Sequence, residues 1–134
     1  MSTFLGSVEY QMDDRNRVPM PPPYRAHFDA PAIMTTSRDQ CVAVYTQASF
    51  DEAAKVVESI PEDTPEGRKR RRFFFGNAFS VAKDGQGRLL IPPKLIEHAG
   101  LRKDVVVVGL GRWFEIWDKQ AYTERVAATE SEEE

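Results

Sequence analysis

Asp84-Gly85-Gln86-Gly87-Arg88-Leu89-Leu90-Ile91-Pro92-Pro93 is written once before in the same chain, as Asp13-Asp14-Arg15-Asn16-Arg17-Val18-Pro19-Met20-Pro21-Pro22. The offset is 71 residues throughout, and it brings Asp onto Asp, Arg onto Arg and Pro-Pro onto Pro-Pro. Working outward, Phe4 meets Phe75, Val8 meets Phe79 and His27 meets His98. After a slip of one residue, Val42-Ala43-Val44-Tyr45 meets Phe114-Glu115-Ile116-Trp117, and Phe50 meets Tyr122. An internal period of this kind is the signature of a duplicated supersecondary unit.

Each copy predicts the same order of elements. An alternating strand (7–12, 77–82) leads into a polar turn, Asp13–Asn16 or Asp84–Gly87. Gly85 and Gly87 suit positions of positive φ, which Asn16 also tolerates. A second short strand (17–20, 88–91) precedes Pro-Pro, and proline is acceptable in a first helical turn because those N–H groups lack partners anyway. The helices expected there cover 22–28 and 93–99, with Gly100 ending the second. Two more strands follow in each copy (32–36 and 41–46; 105–108 and 113–117), and Val105-Val106-Val107-Val108 reads as a strand buried on both faces. A closing helix is expected over 49–60, with Ser49 as N-cap and Glu52 as its capping-box partner, and a shorter one over 119–127. Pro61–Pro65 is a linker, and Pro65 opens a basic helix over 66–74.

The expected fold class is α+β: two tandem β-α repeats, interleaved by pseudo-two-fold symmetry, with strands pairing across copies to remove exposed edges. The organisation is a first repeat (4–60), a linker and basic helix (61–74), a second repeat (75–127) and an acidic, disordered tail (128–134).

Composition excludes several classes. No apolar run approaches the roughly 18–20 residues needed to span a bilayer, and the N-terminus does not read as a signal peptide, so the expected location is the cytoplasm. The single cysteine, Cys41, reads as an ordinary buried strand residue. His27 and His98 stand at matched helix ends without a ligand cluster, so no metal, cofactor or small-molecule substrate is expected, and no catalytic fingerprint marks an enzyme. The net charge of −3 is uneven, because the four glutamates within 130–134 exceed it and residues 1–129 carry +1. Nucleic-acid binding requires a basic surface rather than a basic total.

The paired D-x-x-x-R turns, each followed by a hydrophobic strand and Pro-Pro, resemble the motifs of MraZ proteins, and more widely the AbrB-like, swapped-hairpin β-barrel fold. Phe4-Leu5-Gly6, Phe73-Phe74-Phe75-Gly76 and Phe114-Glu115-Ile116-Trp117-Asp118 add to the resemblance, which covers most of residues 4–122. Asn16 stands where the first motif usually has glycine, and Pro19, the Pro21-Pro22-Pro23 run and the acidic tail depart from the pattern. The resemblance implies a transcriptional regulator of the division and cell-wall gene cluster. It also implies binding to short direct promoter repeats in double-stranded DNA, assembly into a ring-shaped homo-oligomer and association with the nucleoid.

The residue chemistry leaves two readings of the turns. Arginine offers a planar fork suited to guanine or phosphate, aimed by the aspartate four residues earlier. Alternatively, Asp13–Arg17 and Asp84–Arg88 only staple their own turns. Arg15 and Lys83 are candidate contacts to the DNA backbone beside the two motifs, and Arg25 is a weaker one. The DNA-binding set is therefore Asp13, Arg15, Arg17, Lys83, Asp84 and Arg88. The run Arg68-Lys69-Arg70-Arg71-Arg72 reads as a solvated helix face, or as a partner of the acidic helix carrying Asp51, Glu52 and Glu58. The rival from another class is an oligomeric scaffold without DNA binding. An antitoxin-like AbrB regulator is disfavoured by the two fused copies. Assembly is expected because a monomer would expose Phe50, Val56, Val57 and Phe73–Phe75.

Overall fold

The structure, a computed structural model, describes residues 3–127 and 130. Most of the expected acidic tail lies outside the described residues. In chain order the elements are β1 (Ser7–Gln11), β2 (Arg17–Pro19), α1 (Pro22–Arg25), β3 (Ala32–Thr36), β4 (Val42–Tyr45), α2 (Gln47–Glu58) and α3 (Pro65–Phe74). The second copy supplies β5 (Phe79–Val81), β6 (Arg88–Leu90), α4 (Pro93–Ala99), β7 (Asp104–Gly109), β8 (Trp113–Asp118) and α5 (Lys119–Tyr122), which runs on into a π-helical turn over Thr123–Ala127.

The two copies interleave. The larger sheet is antiparallel in the order β1-β7-β8-β4-β3-β5, so each copy lends its first strand to the other's half. β2 and β6 form a separate antiparallel ribbon. Repeat mates face each other at two places: Val18 opposite Leu89 in the ribbon, and Ala43 opposite Glu115 where β4 meets β8. A pseudo-two-fold axis therefore runs through both points. Val18 and Leu89 point inward and are almost fully buried with Met20, Ile91, Phe114 and Ile116. Burying a side chain of this size is worth about 1.5–3 kcal/mol, so the underside of the ribbon anchors it to the main core.

The expected removal of edges is incomplete. The larger sheet does not close, and it ends at β1 and at the three-residue β5. β5 contributes three paired residues to β3, and the ribbon strands pair with each other rather than with the larger sheet.

A second apolar cluster covers the outer face of β3 and β4, where Phe50 stacks on Phe74 at 5.0 Å and Val57 and Ala54 close over Ala43 and Tyr45. This corrects the argument for assembly. Val57 and Phe74 are buried within the chain, and Phe50 and Phe75 pack against them, leaving Val56 exposed from that group. Thr35 and Thr36 fix α3 here by donating from Oγ1 to the carbonyls of Phe74 (2.5 Å) and Phe73 (2.8 Å).

Two local expectations also change. Helix α2 starts earlier than expected: Thr46 is the N-cap and Ser49 its reciprocal partner at the third helical position, while Glu52 pairs with Lys55. A hydroxyl at the third position serves here in place of the usual Glu or Gln. In the second turn Gly87 has positive φ (75°) and Gly85 does not, and Asn16 matches Gly87 at 61°.

Candidate nucleic-acid interface

The two D-x-x-x-R turns are built alike, atom for atom. Asp13 Oδ1 accepts from the backbone N–H groups of Arg15 and Arg17, both at 2.9 Å. Its Oδ2 accepts from Arg17 Nε at 2.7 Å. In the second turn Asp84 Oδ1 accepts from the N–H groups of Gln86 and Arg88 at 2.9 Å, and Oδ2 from Arg88 Nε at 2.7 Å. One short carboxylate thus folds the turn and aims the guanidinium, which explains aspartate at this position and arginine four residues later. The bonds favour the ionised form. The Arg88 N–H, followed by its side chain and the Gln86 N–H, outweighs partial desolvation and lowers Asp84 to about 2. Asp13 is lowered for the same reasons, led by the Arg17 N–H.

The ribbon register then brings the turns together. Arg17 lies opposite Leu90, and Pro19 opposite Arg88. Arg17 Nη1 stands 4.0 Å from Asp84 Oδ2, and Arg88 Nη1 stands 3.9 Å from Asp13 Oδ2. The four side chains are 26–32% exposed, so each arginine is fixed at Nε yet reaches the surface. This is a single four-membered charge cluster on the pseudo-dyad. Each aspartate staples its own turn, and the same bonds fix the guanidinium of its arginine.

The other expected residues are placed unequally. Arg15 is exposed at the tip of the first turn, where the second copy has Gln86. Lys83 is tied within the chain: Nζ donates to the Phe28 carbonyl at 2.7 Å and stands 3.8 Å from Asp29. Arg25 crosses from the first copy to the second turn. Its Nε donates to the Met20 carbonyl at 3.0 Å, and its Cδ and Nε lie where a Cβ on Gly87 would come within 2.4 Å. No local signal ties Arg25 to that turn, because its own repeat mate is Ile96 and the contact depends on ribbon pairing.

The basic helix pairs locally. Arg71 Nη2 donates to the Glu58 carbonyl at 3.3 Å and stands 4.0 Å from Glu62, and Arg68 Nη1 donates to the Glu62 carbonyl at 3.3 Å. His98 Nε2 lies 2.9 Å from the Ser37 carbonyl, and His27 meets the edge of Phe4. Cys41 is buried, and burial pushes its thiol up, reinforced by Glu115. Glu115, part of the repeat match, is a buried carboxylate that no local signal marked as such. Burial raises its pKa, although the Trp117 indole N–H donates to it at 2.8 Å. Among the described residues, no helix is long and apolar enough to cross a membrane.

Fold and site together define a class: a duplicated, interleaved α+β protein whose charged face is a two-stranded ribbon carrying two Asp-locked arginines. The family described as "MraZ protein, putative antitoxin-like" matches twice, over residues 3–73 and 74–134, repeating the offset of the turns. The chain is 35% identical to a transcriptional regulator MraZ of Thermomicrobium roseum over 87% of its own length and 82% of that protein. It is 33% identical to proteins of the same name from Roseiflexus castenholzii (96% and 90% of the two chains) and Heliobacterium modesticaldum (96% and 92%). The chain belongs to the MraZ family.

Proposed function

We propose that the protein is a sequence-specific, DNA-binding transcriptional regulator acting on short direct repeats in the promoter of the division and cell-wall gene cluster. The observation that carries this is the cluster of Arg17 and Arg88, each locked through Nε and sharing one ribbon. A two-stranded ribbon fits the major groove, and a fixed guanidinium fork matches the O6 and N7 acceptors of guanine. The names of the relatives support the regulatory role, and the family resemblance supports the target. Asp13 and Asp84 aim the forks, and Arg15 contacts phosphate. Lys83 braces the loop at Phe28 beside the second motif and contributes its charge from there. Nucleoid association follows from DNA binding.

The test is a titration of the protein's own upstream DNA, read by mobility shift at several salt concentrations. Arg17→Ala and Arg88→Ala each cost about 1–3 kcal/mol per engaged subunit and relax sequence preference. Arg15→Ala weakens all sequences alike and reduces the salt slope by about one. Circular dichroism first establishes that the variants are folded. A folded Arg17→Ala/Arg88→Ala protein that binds its promoter at wild-type affinity refutes the reading.

Ring assembly belongs to the same proposal, since adjacent subunits would then engage adjacent repeats at high effective concentration. Val56 and Leu110, both exposed, are apolar residues that a neighbouring copy could cover. Light scattering gives a multiple of the chain mass at micromolar concentration; a monomer mass refutes assembly.

A further inference from the structure

The outer face of the ribbon carries more than its arginines. Val18 and Leu89 point into the core, so strand alternation turns Arg17, Pro19, Arg88 and Leu90 to the other side. Register sets them as a checkerboard, with Arg17 opposite Leu90 and Arg88 opposite Pro19. Leu90 is 54% exposed on the face that also carries Arg17 and Arg88. The apolar residue that register places nearest to it on this face is Pro19, diagonal across the ribbon and its own smaller repeat mate.

We propose that Leu90 reads the 5-methyl group of a thymine in the major groove, in the base step next to the one engaged by Arg17. The proposal rests on the DNA-binding reading above. The groove is the surface that suits all four residues together: it offers acceptors to both arginines and, at each thymine, an apolar methyl at the same depth. An apolar patch on a second protein would instead desolvate the two Asp–Arg pairs without replacing their hydrogen bonds. The substitution of Leu90 for Pro19 also breaks the pseudo-symmetry of the ribbon face, as does Arg15 against Gln86. Each subunit therefore has a direction on DNA. It reads an asymmetric element of sequence.

The experiment replaces thymines of the protein's own upstream duplex, one at a time, by deoxyuridine, which lacks only the methyl group. Binding of wild type and Leu90→Ala is measured at fixed salt. Leu90 is surface-exposed and its truncation leaves the core intact. Wild type loses about fourfold in affinity at one thymine per repeat, the value of one buried carbon of this size. Leu90→Ala binds the unmodified duplex correspondingly less tightly and is indifferent to deoxyuridine at that position. Wild type that binds the duplex but tolerates deoxyuridine at every position overturns this assignment alone, as does Leu90→Ala that keeps the wild-type sensitivity. Wild type that fails to bind the unmodified duplex overturns the DNA-binding reading itself.

Discussion

Replacing Gly87 by alanine tests the convergence of the two copies at the ribbon, because two separable costs meet at that residue. The first is backbone. Gly87 sits at φ 75°, where a Cβ costs about 1–2 kcal/mol. The second is contact. The new Cβ would lie 2.4 Å from Cδ and Nε of Arg25, so the arginine must leave and give up its 3.0 Å hydrogen bond to the Met20 carbonyl. That part-buried bond from a charged donor is worth about 1 kcal/mol after allowance for solvent. Gly87→Ala is therefore destabilising by about 2–3 kcal/mol. Urea denaturation measures it, and the midpoint temperature falls by about 4 °C for each kcal/mol. In an Arg25→Ala background the contact is already gone and the cost drops to about 1–2 kcal/mol. The resulting coupling of about 1 kcal/mol exceeds the roughly 0.3–0.5 kcal/mol expected of independent sites. Additive costs in the two backgrounds would show that Arg25 does not lie over Gly87.

Two further outcomes follow from the charge cluster and the α3 anchor. The lowered pKa of Asp84, about 2 against a normal carboxylate near 4, means that its ionised form favours the folded state. That contribution is complete above about pH 4 and is lost as pH falls toward 2. Asp84→Asn accordingly flattens the acid limb of stability in that window, leaving the part due to Asp13, and an unchanged acid limb would contradict the assignment. Thr35→Val keeps the shape of a fully buried side chain but strips the Phe74 carbonyl of its donor. It costs about 1–3 kcal/mol by thermal or chemical unfolding, and a neutral result would mean that α3 is held by its aromatic packing alone.

What the sequence determined by itself was local or periodic. The D-x-x-x-R turns are legible because every bond that builds them spans at most four residues: Asp to the N–H groups two and four positions on, and to the arginine fork. Asn16 at positive φ was equally readable, since the preference belongs to the residue and not to its surroundings. The 71-residue offset made the order of elements in one copy a check on the other. Tertiary structure decided the rest. Which residues flank each arginine depends on β2 pairing with β6 from seventy residues away, and no local signal records that register. The same pairing carries Arg25 to the other copy's turn and leaves Leu90 in the open. Lys83 bonds to the Phe28 carbonyl, which only folding brings within reach. The helical aromatics looked like an exposed interface in the sequence, because hydrophobicity alone does not say which surface will cover it. Packing of α2 and α3 over β3 and β4 supplied that cover from within the same chain.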